Sequence, residues 1–334
     1  MRKRIEELDG LRGITAVIVV LFHYFKRYDQ IYGHQNLNTN WTAYGYNGVH
    51  LFFIISGFVI FWSLNNTKKP LDFIVSRFAR LYPIYWAALI LTFLFITTFG
   101  LPGREVSSSS FFANFLMFHE YFNIPNVDGA YWTLKVELTF YLWIFIIFIL
   151  NLLKQIDFFI LFLLIIGIVL NFNIIETPEI IKELLFIKWL PFFSIGICLY
   201  KIYIKEFKKI TIFNLLLAII NTIFIFSFKS FLFYCFFTIL VHCAVNQNLR
   251  FLSNSILKFF GSISYSLYLL HQNIGYVIIR KGYEYNLNSK ATMILTILII
   301  IFISYLSTLY IEKPAAKFIK KTYKKHRKIF FYPS

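Results

Sequence analysis

The chain has 334 residues, 58% of them hydrophobic and 21% aromatic, with 15% charged and a formal net charge of +17. A soluble fold of this length could not bury so much apolar surface, and apolar runs of about 20 residues recur along it. The composition therefore excludes a soluble enzyme and specifies an all-α, polytopic membrane protein; the charge distribution, taken up below, excludes nucleic acid as its partner. Phe is abundant (42 residues) and Lys outnumbers Arg, a bias of AT-rich bacterial genomes.

Ten spans are predicted, at about 11–32, 49–64, 81–99, 131–153, 157–174, 183–204, 210–228, 230–246, 258–280 and 290–311. Together they form a single membrane domain over 1–334 with no soluble domain. No small-x-small cleavage site follows the first apolar run, so it reads as a retained helix and not a signal peptide.

That first run, LDGLRGITAVIVVLFHY, carries Arg12 and His23 eleven residues apart. Eleven steps of ~100° return to within roughly 20°, so both side chains share a helix face, about 16 Å apart along the axis. An arginine at the membrane rim and a titratable ring far inside it mark a functional site. A neutral imidazole can take a proton from an alcohol and return it to a leaving group. The second span holds His50 at its outer edge, read as a solvated histidine, and Ser56-Gly57, where a backbone or ligand can approach closely. Arg77 and Arg80 stand at the cytoplasmic end of the third span. They serve either as topological anchors or, with Arg12, as a phosphate-binding guanidinium set. The following loop contains FFANFLMFHEYF, apolar enough to lie as a short helix in the outer interface.

The fourth span opens DGAYWTLKVELTFYLW. Glu137 lies roughly 10 Å inside it and must be paired or protonated. Lys135 and Arg27 are the candidate ion-pair partners; the functional alternative is that Glu137 orients or charges a histidine. His271 in the ninth span comes out ~18–20 Å from the cytoplasmic edge. His23, Glu137 and His271 thus reach similar depth on three spans, consistent with one intramembrane site. Ser56, Trp132, Tyr141, Tyr268 and His271 are its candidate lining. His119, His242 and His326 read as surface or packing residues, and Glu312 with Pro314 as the stop of the last span. Cys198, Cys235 and Cys243 fall in apolar runs and read as buried small hydrophobes. No metal-ligand cluster, Gly-rich phosphate loop, catalytic cysteine or Gly-x-Ser-x-Gly elbow is found.

Segments on the N-terminal side of the spans hold 22 of the 33 Lys and Arg residues and those on the opposite side hold 8. The excess predicts cytoplasmic N- and C-termini and basic residues facing anionic headgroups, with the lipid bilayer as partner.

The segments LDGLRGITAVIVVLFHY, GVHLFFIISGF, RFARLYPIYW, DGAYWTLKVELTFY, SYSLYLLHQNIG and YIEKPAA fall in order from residue 8 to residue 316. Together they resemble the acyltransferase family 3 membrane proteins, which O-acetylate bacterial surface and exported glycans. The resemblance implies ten spans in the bacterial cytoplasmic (inner) membrane and a cytoplasmic acyl-CoA donor, with acetyl-CoA a substrate and no permanently bound cofactor. The acceptor it implies is a glycan or lipid-linked saccharide. It would make His23 the key catalytic residue, with Arg12, Arg77 and Arg80 on the donor side, and Glu137 matches the acidic position after the Trp132 motif. His50 departs from the pattern, which often has an acidic residue there. The sequence carries no esterase-like domain of the kind that some relatives have. The alternative function is a transporter or flippase for a lipid-linked glycan, which would also use many spans and buried histidines. The absence of paired interrupted helices and internal symmetry argues against it.

Overall fold

The structure, a computed structural model, describes residues 5–64, 67, 69–172 and 176–331, with side chains through residue 326. Arg2, Lys3, Arg4 and Lys68 of the charge count, the side chains of Arg327 and Lys328, and residues 173–174 of the fifth predicted span lie outside the described residues. Among the described residues there is helix and no strand. In chain order the helices are α1 (Glu6–Leu21), α2 (Tyr28–Tyr32), α3 (Gly48–Leu64), α4 (Pro70–Phe99), α5 (Ser108–Asn114), α6 (Trp132–Ile149), α7 (Ile156–Asn171) and α8 (Glu179–Leu184). They continue with α9 (Leu190–Tyr203), α10 (Lys209–Ile225), α11 (Phe228–Val245), α12 (Ser255–Leu270), α13 (Gln272–Glu284), α14 (Ser289–Ser307) and α15 (Lys313–Phe331). Two π-helical turns, Phe22–Arg27 and Thr308–Glu312, join α1 to α2 and α14 to α15.

Seven helical stretches, among the described residues, are long and apolar enough to cross a membrane. Three further predicted spans correspond to the shorter apolar helices α9, α10 and α12. The sixth predicted span, 183–204, is not one helix: α8 ends at Leu184, and a turn with Phe186 at φ 41° precedes α9. The ninth, 258–280, is interrupted at His271, between α12 and α13. The third is longer than predicted. Pro70 starts α4, a favourable first helical position because proline lacks only an N–H that would be unpaired there, and Pro83 lies inside the helix. Glu312 and Pro314 do not stop the last span. The helix passes through the π turn into α15, where Pro314 is the second residue, and the irregular hydrogen-bond ladder of the turn accommodates its missing N–H.

The chain forms two compact units. The first comprises Met1–Thr15, Tyr46–Pro70 and Lys135–Gly261. Its centre is the packing of α3 on α9. A Cβ on Gly196 would stand 2.0 Å from the Ile54 carbonyl oxygen, and one on Gly57 would stand 2.3 Å from that of Phe193. Gly57 therefore serves helix contact, the packing reading of the Ser56-Gly57 pair. Asp157, buried on α7, pairs with Lys201 on α9 and accepts from Thr211 Oγ1 at 3.1 Å on α10.

The second unit comprises Ala16–Gly45, Leu71–Leu134 and Ser262–Ser334. Helix α4 is its spine. Tyr85 and Trp86 donate to the carbonyls of Asn114 (2.6 Å) and Phe115 (3.0 Å), anchoring the loop that carries α5. Within the predicted interfacial stretch, α5 ends at Asn114, and Phe112 and Phe122 are well exposed. At the other end of α4, Asp72 accepts from Tyr323 of α15 at 2.8 Å. Glu312 accepts from Ser266 (2.7 Å) and Thr308 (3.3 Å), tying the π turn to α12.

Added volume at the α3–α9 contact should meet backbone, which cannot rotate away. Gly196→Ala and Gly57→Ala should each destabilise the protein by about 1–3 kcal/mol. Thermal melting in detergent, compared with Thr97→Ala at an exposed helical position, reads the difference. Equal melting of all three variants would contradict the contact.

Candidate active site

His23 sits in the π turn that follows α1. Such turns insert one residue per turn, break the regular hydrogen-bond ladder and often occur at functional sites. His23 Nδ1 lies 2.9 Å from the Val19 carbonyl oxygen and 3.1 Å from His271 Nε2. His271 Nδ1 lies 2.7 Å from the Tyr268 carbonyl oxygen. A carbonyl only accepts, so His271 Nδ1 carries the proton, and in the neutral ring Nε2 is a lone pair. His23 Nδ1 then faces two acceptors and must itself be the donor. For neutral His23 that leaves Nε2 unprotonated, the form in which imidazole accepts a proton. The geometry can present an unprotonated imidazole nitrogen on a ring held by a second histidine, the arrangement a general base requires.

The supports of this pair come from the same unit. Tyr24, fully buried, donates to the His271 carbonyl at 2.8 Å and packs on Gly275, where a Cβ would meet its hydroxyl at 2.3 Å. Tyr268 donates to the Ala130 carbonyl (3.1 Å) and accepts from Thr133 (3.0 Å). Asp128 accepts from the backbone N–H groups of Ala130 and Asn273, both at 2.8 Å. His271 therefore lies beside the start of α6. Burial raises the Asp128 carboxyl to about 6, against the opposing pull of those two N–H groups and of Arg104. Asn273 accepts in turn from Arg104 at 3.3 Å. Asp128, Arg104 and Asn273 were not singled out from the sequence. An Asp before a helix reads as a cap and a loop Arg as a surface charge; only their tertiary partners set them apart.

The predicted site residues thus fall into groups. His23, His271 and Tyr268 meet in the second unit. Glu137, Ser56 and Tyr141 meet in the first: Tyr141 hydrogen-bonds Glu137 closely, and Ser56 lies 3.5 Å from it. Glu137 is not ion-paired with Lys135, which binds Glu183 at 3.1 Å, nor with Arg27, which donates to Gln30. Arg77 and Arg80 are one turn apart on α4, and the Lys320 ammonium of α15 lies near both charges. Arg12 is on α1, and Trp132 is the first residue of α6.

His50 is a correction. It is 4% exposed rather than solvated, stacked between Trp189 and Phe192, with Tyr234 Oη 3.2 Å from its Nδ1. His119 is buried against Asn126, while His242 and His326 are exposed. Cys198 is buried, but Cys235 and Cys243 are only partly so. His34, unremarked in the sequence, bridges the Tyr283 hydroxyl (2.6 Å) and the Tyr24 carbonyl (2.8 Å). Among the described residues no group of His, Cys, Asp and Glu could hold a metal.

A family described as an acyltransferase domain matches residues 5–313. The chain is similar to the peptidoglycan O-acetyltransferase OatA of Listeria monocytogenes, 26% identical over 159 residues, covering 42% of this chain and 24% of that one. It is also similar to the acyltransferase MdmB of Streptomyces mycarofaciens, 28% identical over 149 residues (42% and 38%). Protein 2 in the picA locus of Rhizobium radiobacter is 37% identical over 103 residues (28% and 49%). The matches thus span from a quarter to a half of these relatives. No solved structure matches.

The raised Asp128 carboxyl has a signed consequence. The folded chain holds this proton more tightly than the unfolded chain, so the site favours folding most below pH 3.8. That advantage declines as pH rises to about 6 and is level above it. The two-unit interval corresponds to on the order of 3 kcal/mol. Asp128→Asn should flatten melting temperature against pH over this window. An unchanged slope in the variant would mean that Asp128 does not titrate there.

Proposed function

Because the chain belongs to the acyltransferase domain family, we propose that it is a multi-pass membrane O-acyltransferase. It moves an acyl group, acetyl, from cytoplasmic acyl-CoA to a hydroxyl of an extracytoplasmic or lipid-linked glycan. The observation that carries this reading is the geometry of His23: Nδ1 lies 2.9 Å from the Val19 carbonyl oxygen and 3.1 Å from His271 Nε2, which assigns the proton to Nδ1 and leaves Nε2 as the base. The similarity to a peptidoglycan O-acetyltransferase supports a glycan acceptor and an acetyl group.

In the proposed reaction His23 Nε2 removes the proton of the glycan hydroxyl as its oxygen attacks the thioester carbonyl. The C–O bond forms, the C–S bond breaks, and the thiolate takes the proton back from the imidazolium. His271 Nε2, accepting from His23 Nδ1–H, holds the ring in place, the positioning part that a third group plays in a catalytic triad. Arg77 and Arg80 bind the donor phosphates, and Lys320 adds a third cation from α15. Motif position supports Arg12 as a further donor-side residue. Glu137, with Ser56 and Tyr141, is a proposed second catalytic group. The excess of basic residues on one side of the spans supports cytoplasmic termini and a cytoplasmic donor site.

Purified protein should release coenzyme A from acetyl-CoA in the presence of the cell-envelope glycan fraction; a transporter would release none. His23→Ala should lower that rate by roughly 10²–10⁴-fold with coenzyme A binding intact. His271→Phe, which keeps the packing but not the acceptor nitrogen, should lower it less, and Glu137→Gln should also lower it. Near-parental turnover by well-folded His23→Ala would refute the base assignment.

Arg77→Gln, Arg80→Gln and Lys320→Gln should weaken coenzyme A binding, each by about tenfold or more for a charge-assisted contact. Added salt should narrow the gap. Titration calorimetry in detergent measures it, and unchanged affinity in all three would reduce these cations to topological anchors.

A further inference from the structure

One residue beyond His271 the second unit holds two buried polar atoms with no hydrogen-bond partner among the described residues: Gln272 Oε1 and Tyr276 Oη. Gln272 is 3% exposed and Tyr276 is fully buried. They lie one turn apart on α13, the spacing that puts them on one face. The Arg104 guanidinium joins them, 5.6 Å from the Tyr276 ring centroid. Gly129 brings the groups together: a Cβ there would meet Gln272 Nε2 at 2.6 Å, Arg104 Nη1 at 2.8 Å and Gln272 Oε1 at 3.1 Å. Leaving a buried polar atom unpaired costs about 1–3 kcal/mol, and native structures rarely tolerate it without a bound ligand or water. Two such atoms beside a cation, next in sequence to the residue that orients His23, mark a binding site. Arg104 is near enough to His23 for its charge to act on the imidazole.

The chemistry of the three groups identifies the ligand class. A guanidinium donates, an amide oxygen accepts, and a phenol does either. That set suits adjacent sugar hydroxyls, which donate and accept at neighbouring positions. It does not suit an acyl chain, which offers no polar atoms. Nor does it suit the donor phosphates, because Arg80 lies 19 residues before the end of α4, about 28 Å along the axis, and Arg104 lies just past that end. Donor and acceptor would reach His23 from opposite ends of α4.

We propose that Arg104, Gln272 and Tyr276 form the subsite that holds the hydroxyl-bearing acceptor sugar against His23. This rests on the O-acyltransferase reading above. Arg104 donates to sugar oxygens, and Gln272 Oε1 and Tyr276 Oη take up sugar hydroxyls.

The test uses the full chain in cells deleted for it, with base-released O-acetyl of envelope saccharides as readout. Purified variants are scored for coenzyme A affinity and melting temperature. Tyr276→Phe and Gln272→Leu should each lower O-acetylation about three- to tenfold, and Arg104→Gln by more. Coenzyme A affinity should stay at the parental value. The melting temperature should not fall for Tyr276→Phe, since the lost hydroxyl has no partner in the protein. Full O-acetylation by all three variants would overturn the subsite and leave buried water as the occupant. So would losses matched by parallel losses of coenzyme A binding or of melting temperature. If the parent neither binds coenzyme A nor restores O-acetylation, the enzyme reading itself fails and the subsite falls with it.

Discussion

The bond between His23 Nδ1 and His271 Nε2 exists because the backbone on either side of it is fixed. On one side the π turn departs from the regular ladder and lets His23 reach both Val19 and His271. On the other, the interruption between α12 and α13 falls at His271 itself. Both irregularities would be unstable in an apolar setting unless neighbouring groups satisfied the backbone. The His271 carbonyl accepts from the Gly275 N–H and from Tyr24, and Asp128 accepts from the Asn273 N–H. Remove any one, and the tautomer that leaves Nε2 bare is no longer enforced.

Two acidic residues of this chain are held within closed sets of partners. Asp157 is met by Lys201 and Thr211, and Glu312 by Ser266 and Thr308. Their charge is spent on holding helices together. The cluster near His23 differs in being open. The Gln272 amide oxygen and the Tyr276 hydroxyl are buried with no hydrogen-bond partner among the described residues, a state that Asn214 Oδ1 and Asn221 Oδ1 share, and they stand beside the Arg104 guanidinium. An open polar cluster and a closed one look alike in composition. Their hydrogen-bond tallies separate a site from a brace.

Much of the helical order was legible in the sequence, because apolar runs of membrane length have few alternatives. His23, His271 and Glu137 stood out for the same reason, as titratable groups amid apolar residues. Three things were not legible. Helical periodicity assumes a uniform 3.6 residues per turn, so neither π turn could be read, and Glu312-Pro314 passed for a stop. Depth along separate spans says nothing of rotation, so the partners of each candidate could not be read: His23 meets His271, and Glu137 meets Tyr141 and Ser56. Burial depends on tertiary neighbours. His50 at the edge of a span looked wet and is enclosed by Trp189, Phe192 and Tyr234, which are far away in sequence. Gln272 and Tyr276 carry no sequence signal of their own and are set apart only by burial and unpartnered polar atoms.

The π turn at Phe22–Arg27 also bears on how this helix tolerates length changes. A π turn is in effect an α-helix with one residue too many, the surplus looped into the ladder. Deleting any single residue between Phe22 and Arg27 would let the ladder close into regular helix, removing the irregularity without breaking the helix. The helix on either side would keep its phase, because the wide turn already takes up the extra residue, so Tyr28 would still pack on Tyr276 and His34. The cost would fall inside the turn, where His23 would lose the irregular backbone from which it reaches His271. Two homologous helices that differ by that one residue would therefore align without a gap on either side of the turn but not across it, and a gapless comparison would pair the wrong residues on one side.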